Sequence, residues 1–520
     1  MIEKVVICTG SFNPITKGHA LMMKCAIDTI SADRGLFFIT PNQYLGYKMH
    51  IKKKSSFVLS DEVRIKMIES LNNEYSNIFY GGKEVGSGNP SVVKTIKGFQ
   101  RRNKSSEVYV LIGADKLRKL PKWEEIDSII DTIKIIIAVR KGFDIAQTIE
   151  SDTWLKKYQD HFIIIHPDAE AFDISSSLLR EKFFSGENYK NLMNEGPYEI
   201  FKHYSPDDFK PLSDEERIFY ELKYNSRFGT TSACMLVYKS NEKIFKTWDV
   251  NLLGDRDSKL KNTKVYKEEF ITNYHFNYNT IFDCINKDCA EVAKELINEG
   301  YYPAILNLAS NISPGGGYHN GTNAQEECLC QMSTLSQSLY QFGDLKFQHI
   351  KEADLPNYPG VYPLDINFGG IYSPDVVFFR HNRSLNFSLR DEVFSSAIIT
   401  VASLSNRIKN AYTNDERKYF NSDGTMTEEG KIIEMNKIRT ILRIALDNGH
   451  DSVVLGAFGC GVFNLLPSEV SQMFYDVLSE PEFKGNFKKV VFAILERKAK
   501  KGFTIGKNGK FKPFYDLFSK

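Results

Sequence analysis

At 520 residues the chain is too long for one ordinary domain; at about 150 residues per domain it predicts about two to four. It is 42% hydrophobic and 25% charged, which excludes a disordered, collagen-like or disulfide-scaffold protein. Lys and Arg number 67 against 65 Asp and Glu, a net +2, so bulk charge gives no reason to expect nucleic acid or an anionic membrane as a partner. The 8 cysteines show no paired zinc spacing, so no metal site is expected and a reducing, cytoplasmic setting is. The start, Met1-Ile2-Glu3-Lys4, lacks signal-peptide architecture. The longest strongly apolar run, Ile133 to Val139, falls far short of the ~20 residues of a membrane helix.

In chain order, short apolar runs alternate with helical spacing. Val5 to Cys8 ends at Gly10, and His19 to Ile30 reads as a helix. Gly35–Ile39, Val108–Ile112, Ile133–Val139 and Phe162–Ile165 read as further strands. Runs of this length, separated by helices, predict parallel strands covered on both faces, a doubly wound α/β domain over residues 1–205. Residues 206–225, proline-bearing and acidic at their start, are expected to be a linker. A second α/β domain is expected over 226–520. Its strands are predicted at Ala304–Leu308, Val376–Phe379 and Ser452–Leu455, and its helices at Cys284–Asn298, Asn436–Asp447 and Ser468–Leu478. Residues 225–268 show only a lysine-rich surface character.

The first candidate site is Cys8-Thr9-Gly10-Ser11-Phe12-Asn13-Pro14-Ile15-Thr16-Lys17-Gly18-His19, between the first strand and first helix. Ligands of open α/β sheets bind at such strand ends, and a helix N-terminus offers unpaired N–H groups to phosphate. Thr16 and His19, three apart, share a helix face. On residues alone this is either a nucleotide loop or a plain strand–turn–helix connection. Lys52, Lys53 and Lys54 read either as phosphate-steering groups or as a solvated loop.

This segment resembles the nucleotidylyltransferases with a (His/Thr)-x-Gly-His signature, and GSFNPIT resembles the nicotinamide mononucleotide adenylyltransferases among them. Gly113-Ala114-Asp115 with Trp123, Val139 to Phe143, and Ile174-Ser175-Ser176-Ser177 with Arg180 are similar to further motifs of that family, with Ser177 where the pattern has Thr. The resemblance implies a Rossmann-like domain that transfers adenylyl from ATP, with Mg²⁺ carried on its phosphates, to nicotinamide or nicotinate mononucleotide. Gly10, Ser11 and Phe12 would line the loop, and Thr16 and His19, His19 as the catalytic group, would meet the ATP phosphates. Ser175, Ser176 and Arg180 would hold the outer phosphates. Gly113, Asp115 and Trp123 would face the mononucleotide. Pantetheine-phosphate adenylyltransferases share part of the pattern, so a phosphopantetheine acceptor is the alternative.

The second candidate site pairs Asn311 and Gly315-Gly316-Gly317 with Gln325-Glu326-Glu327. Three glycines suit backbone that touches a ligand, and adjacent carboxylates repel, which raises at least one pKa. The plain alternative is a flexible loop before an acidic helix turn. A second glycine-rich turn, Gly456-Ala457-Phe458-Gly459-Cys460-Gly461-Val462-Phe463, can wrap a diphosphate, its aromatics stacking on ribose or base. Cys460 reads as packing, and His319 as a polar loop residue.

Together these strings resemble the microbial poly(ADP-ribose) glycohydrolases of macrodomain-like fold. Ser333-Thr334-Leu335 and Tyr372 to Val376 match the same pattern. The resemblance implies that Glu327 is acid and then base, and that Glu326 bonds hydroxyls near the scissile bond. Asn311, Gly315, Gly316, Gly317 and Gln325 would bind ADP-ribose, as would Gly456 and the run Phe458 to Phe463. The expected partners are ATP, a pyridine mononucleotide, and ADP-ribose or ADP-ribosylated protein. The alternative is a second half that binds ADP-ribose without cleaving it.

Overall fold

The computed structural model describes residues 2–86, 90–139, 142–168, 174–225, 229–343, 361–407, 416–496 and 509–519. It divides into two compact units, Met1–Ser226 and Arg227–Lys520.

The first unit is a parallel sheet of six strands: β1 (Glu3–Gly10), β2 (Arg34–Ile39), β3 (Ile78–Lys83), β4 (Ser106–Gly113), β5 (Ile133–Ala138) and β6 (Phe162–Ile165). Their order is β3-β2-β1-β4-β5-β6, so successive strands are laid down on one side of β1 and then, from β4, on the other. Alternate side chains of β1 enter opposite layers. Val6 and Cys8 join the core under helix Lys17–Ile30, and Val5 and Ile7 join the cluster around Ile96 and Leu117. Both faces are buried, which is why the strands read as unbroken apolar runs. β3 escaped the sequence reading because its Gly81 and Gly82 break the apolar run. Phe38 packs against both, and a Cβ on Gly81 would lie 2.5 Å from its ring. Arg140 and Lys141 of the Val139–Phe143 motif lie outside the described residues.

The stretch expected as a linker folds onto the first unit. Asp214–Tyr224 is a helix whose acidic start is a capping box, Ser213 Oγ accepting from Glu216 N–H at 3.2 Å. Tyr220 and Tyr224, four apart, turn inward. Tyr224 stacks on Tyr47 at 5.4 Å, and Tyr220 covers Gly46, where a Cβ would lie 2.4 Å from its hydroxyl. Of the acidic residues that suggested a solvated connector, Asp207 and Asp208 lie in the short turn Pro206–Asp208 and Asp214 opens this helix.

Among its described residues the second unit holds seven strands: β7 (Lys264–Tyr266), β8 (Ile281–Ile285), β9 (Pro303–Leu308), β10 (Gly370–Arg380), β11 (Leu389–Val401), β12 (Ser452–Leu455) and β13 (Lys489–Ala493). The order is β7-β10-β11-β9-β12-β13-β8. β10 runs antiparallel to β7 and β11, and the rest are parallel. Helices cover both faces: Ala304 and Leu306 point to the layer of helix Glu428–Asp447, and Ile305 points to that of helix Gln325–Met332. The helix expected from Cys284 begins at Cys289, because Ile281–Ile285 pairs with β13 and Asp288 caps the helix by accepting from Ala290 N–H at 3.0 Å. The stretch that showed no signal contains the 19-residue helix Gly229–Thr247. Among the described residues no helix is long and apolar enough to cross a membrane.

Candidate functional sites

In the first unit Gly10 and Gly113 end the two strands at the topological switch, where an open α/β sheet forms its crevice. The loop after Gly10 is held from several directions. Phe12 takes φ +40° and lays its ring over Gly10, where a Cβ would lie 3.0 Å away. The same ring meets His19 edge-on at 5.2 Å and Phe37 at 4.9 Å. Asn13 donates to Phe57 O at 2.8 Å and accepts from Leu59 N–H at 2.9 Å. Fully buried Arg64 donates to Ser11 O at 2.8 Å and pairs with Asp61.

His19 occupies the third position of the first helix, and its Nδ1 faces the Thr16 N–H at 3.2 Å and the Thr16 hydroxyl at 2.7 Å. An N–H donor facing Nδ1 makes that nitrogen the acceptor, so the proton of the neutral ring sits on Nε2. From the other side of the loop, Ser175 caps helix Ser176–Ser185 by accepting from Leu178 N–H at 3.1 Å. Ser176 donates to Pro14 O at 2.8 Å, and Arg180 donates to Asn13 O at 2.8 Å. The (Thr)-x-Gly-His and Ser-Ser-Ser segments therefore meet across one loop. Asp115 folds back over Gly113, with Oδ1 2.7 Å from where a Cβ would be, which explains the glycine. Trp123 is half-buried against the apolar layer around Leu117 and Leu120.

One cation had no sequence signal. Lys48 donates to Ser11 Oγ at 2.6 Å. Burial, together with the charges of Lys53 and Lys116, pushes its pKa down to about 8. A partly desolvated ammonium set among cations favours an anion. Of the lysine run, Lys52 lies over the Tyr47 ring and Lys53 is pulled down by burial and Arg180. Among the described residues no group of three or more His, Cys, Asp or Glu forms a metal site.

In the second unit, three loops leave the same end of neighbouring parallel strands: 309–317 after β9, 402–406 after β11 and 456–463 after β12. On the β12 side the β9 ladder stops at Ile305, which leaves Leu306 O and Leu308 N–H open. Gln325 fills both: its Nε2 donates to Leu306 O at 2.8 Å and its Oε1 accepts from Leu308 N–H at 2.8 Å. This amide, expected to bind ligand, acts as a strand residue and docks the first turn of helix Gln325–Met332 on the sheet.

The two glutamates that follow are buried and differ in their surroundings. Glu326 accepts from Ser310 N–H at 2.7 Å and from Asn307 Nδ2 at 3.3 Å. Burial pushes its carboxyl up to about 8, the charge of Glu327 adding to the rise. Glu327 accepts from Gly317 N–H at 2.9 Å through Oε1, while its Oε2 is buried with no partner. Gly316, at φ +56°, lies so close that a Cβ would sit 2.6 Å from Glu327 and 3.0 Å from Glu326. Gly315, at φ +69°, lies against Cys330 and Tyr340. Asn311 donates to Glu416 at 3.2 Å. The glycine run thus lays bare backbone directly over two carboxylates.

In the 456–463 loop the expected stacking by Phe458 is corrected. Its side chain is fully buried and packs edge-on toward Phe474, in the core beneath the loop. Gly459, at φ +68°, presses on Ser403 and Leu465. Cys460 is buried, its thiol pushed well up by burial, as a packing role requires. Gly461 and Val462 are exposed and Phe463 is half-buried, so only these offer surface to a ligand. Thr334 pairs with Val377 of β10 through N–H to O at 3.0 Å, and its hydroxyl accepts from Val377 N–H at 3.1 Å, an anchor for the helix pair.

Fold and loops define a nucleotidyltransferase fused to a second enzyme unit. Residues 7–182 match a cytidylyltransferase-like family model, and residues 235–381 match the microbial-type PARG catalytic domain. The probable nicotinate-nucleotide adenylyltransferase of Clostridium tetani is 29% identical over 209 residues, 39% of this chain and 98% of that protein. That of Clostridium kluyveri is 30% identical over 205 residues, covering 39% and 97%. Through its first unit the chain belongs to the nicotinate-nucleotide adenylyltransferase family. Among solved structures, the poly(ADP-ribose) glycohydrolase of Thermomonospora curvata is similar, at 23% identity and a TM-score of 0.42, over 55% of this chain and 100% of that one.

Proposed function

We propose that the first unit joins ATP to a pyridine mononucleotide, nicotinate mononucleotide first, and that the second unit, macrodomain-type in fold, releases ADP-ribose from poly(ADP-ribose). In the first reaction the mononucleotide phosphate attacks the α-phosphorus of ATP in line, and pyrophosphate leaves. His19 Nε2–H donates to phosphate oxygen as charge builds there, and Thr16 fixes the ring by occupying Nδ1. Arg180, Ser175 and Ser176 flank the outer phosphates; Lys48 and Ser11 hold the mononucleotide phosphate. Gly113 and Asp115 bound the nucleotide pocket. Mg²⁺ enters on the triphosphate and offsets its charge.

In the second reaction Glu327 protonates the leaving ribose oxygen as its bond to the anomeric carbon breaks, and then takes a proton from the water that adds to that carbon. Glu326, held by Ser310 N–H and Asn307 Nδ2, orients hydroxyls beside the bond. Gly315, Gly316 and Gly317 and the exposed part of the 456–463 loop meet ribose and diphosphate. The observation that carries this reading is Glu327 itself, with one oxygen fixed by Gly317 N–H and the other buried and unpartnered. The free thiols of the described cysteines fit a cytoplasmic setting.

The test uses the full chain, His19→Ala and Glu327→Gln. ATP with nicotinate mononucleotide, nicotinamide mononucleotide or phosphopantetheine is one arm, and poly(ADP-ribosyl)ated protein is the other. The expected result is dinucleotide formation lost only in His19→Ala and ADP-ribose release lost only in Glu327→Gln. Binding of ADP-ribose without release by the wild type would make the second unit a reader. Product from phosphopantetheine alone would overturn the first assignment.

A further inference from the structure

Three buried charged side chains outside both proposed reactions converge on 402–406, the exit of β11. Here the backbone has left the sheet ladder, and its polar groups need partners from elsewhere. Lys437 donates to Ala402 O at 2.7 Å. Glu434 accepts from Leu404 N–H at 3.0 Å and from Ser403 Oγ at 2.7 Å. Glu416 accepts from Ser405 N–H at 2.7 Å. The three are 4%, 0% and 6% exposed, so this is an interior brace and not a surface ion pair. Lys437 lies among the carboxylates: burial pulls it down, and Glu434, Glu416 and Asp365 push it back up.

The braced segment is joined to both ligand loops. The second oxygen of Glu416 accepts from Asn311 Nδ2 at 3.2 Å, which ties the loop leading to the glycine run. Asn406 N–H donates to Phe463 O at 2.9 Å, and Ser403 lies against Gly459, where a Cβ would be 2.2 Å from its hydroxyl. Those two links tie the loop after β12.

We propose that Glu416, with Glu434 and Lys437 beneath it, is a positioning residue that sets the spacing of the two loops gripping ADP-ribose. The inference rests on the second unit being an ADP-ribose site. One carboxylate spans the amide of Asn311 and the backbone of Ser405, so it fixes one loop relative to the strand exit that carries the other. A site of this kind depends on small displacements, and losing the span weakens ligand binding before it touches the bond-breaking step.

The experiment compares Glu416→Ala with Glu416→Gln in the full chain. Glutamine keeps the span: its oxygen accepts from Ser405 N–H, and its amide donates to Asn311 Oδ1 once that side chain turns over. ADP-ribose affinity is read by calorimetry, and kcat and KM are read on poly(ADP-ribosyl)ated protein. Adenylyl transfer by the first unit and the thermal transition check that each preparation is folded. The expected result is about tenfold or more loss of ADP-ribose affinity, with a matching rise in KM, in Glu416→Ala. Glu416→Gln is expected within about threefold of wild type. Unchanged affinity in Glu416→Ala, or an equal loss in both variants, overturns the proposal. A wild type that neither binds nor releases ADP-ribose fails the underlying reading, and that failure is visible before any variant is made.

Discussion

Lys48 and Glu327 are each half-satisfied in the same way: one firm partner within the protein and a capacity left over. Lys48 holds Ser11 with one of its three N–H donors. Burial and neighbouring cations push its pKa down to about 8, and a phosphate held there, as proposed, would offset both. Replacing Lys48 with Ala is expected to raise KM for the mononucleotide about ten- to a hundredfold, the loss of one charged hydrogen bond, with a smaller effect on KM for ATP. Steady-state kinetics with each substrate varied in turn check this. Equal effects on both substrates would place Lys48 elsewhere. At Glu326 and Glu327 the adjacent-carboxylate argument foresaw a raised pKa. It did not foresee that burial, more than repulsion, is the cause of the rise at Glu326.

At the scale of elements, short segments work by supplying backbone partners that the regular ladders leave open. Gln325 completes the β9 edge where β12 ends, and in doing so sets the first turn that presents Glu326 and Glu327. Removing its amide in Gln325→Ala leaves Leu306 O and Leu308 N–H without partners. The expected cost is ~1–3 kcal/mol of second-unit stability, together with a fall in kcat for ADP-ribose release. Denaturant unfolding and single-turnover assays check it; a change in KM with stability intact would return Gln325 to the ligand. Much at this scale was legible beforehand. β1, β2, β4 and β9 announced themselves because both their faces are buried. β3 did not, because its glycines make room for Phe38 and dilute the apolar run. β11 also escaped, because its first half, Leu389 to Ser395, mixes charged and apolar residues along a partly exposed stretch.

For the molecule as a whole, burial of charge is unevenly placed, and pH exposes it. Glu326 and Glu434, both in the second unit, are pushed up by burial to about 8 and about 7. A carboxyl whose folded pKa lies above its unfolded value, about 4.3, binds its proton more tightly when folded. Its stabilising contribution is full below the unfolded value and is lost as pH rises through the folded one. The second unit is therefore expected to lose stability between about pH 5 and pH 8. Glu326→Gln, which keeps a neutral side chain at every pH, is expected to flatten that decline. Calorimetry across this range, with the second-unit transition identified by its shift on adding ADP-ribose, is the check. A flat wild-type profile would contradict the burial argument.

By itself the sequence determined the two α/β folds and the two loop chemistries. Strand, turn and helix are adjacent in the chain there, and residue types at fixed spacing mark the two candidate sites: Gly10 through His19, and Gly315 through Glu327. Only the tertiary structure decided how those loops are held. Lys48 reaches Ser11 across 37 residues, Arg180 reaches Asn13 across 167, and Glu416 reaches Asn311 across 105. It also turned Phe458 into the core, made Gln325 a strand residue and left Glu327 Oε2 buried without a partner. The reason is physical. Periodicity and spacing report what neighbours in the chain do, whereas burial and hydrogen-bond satisfaction are settled by whichever distant groups the fold brings within 3 Å.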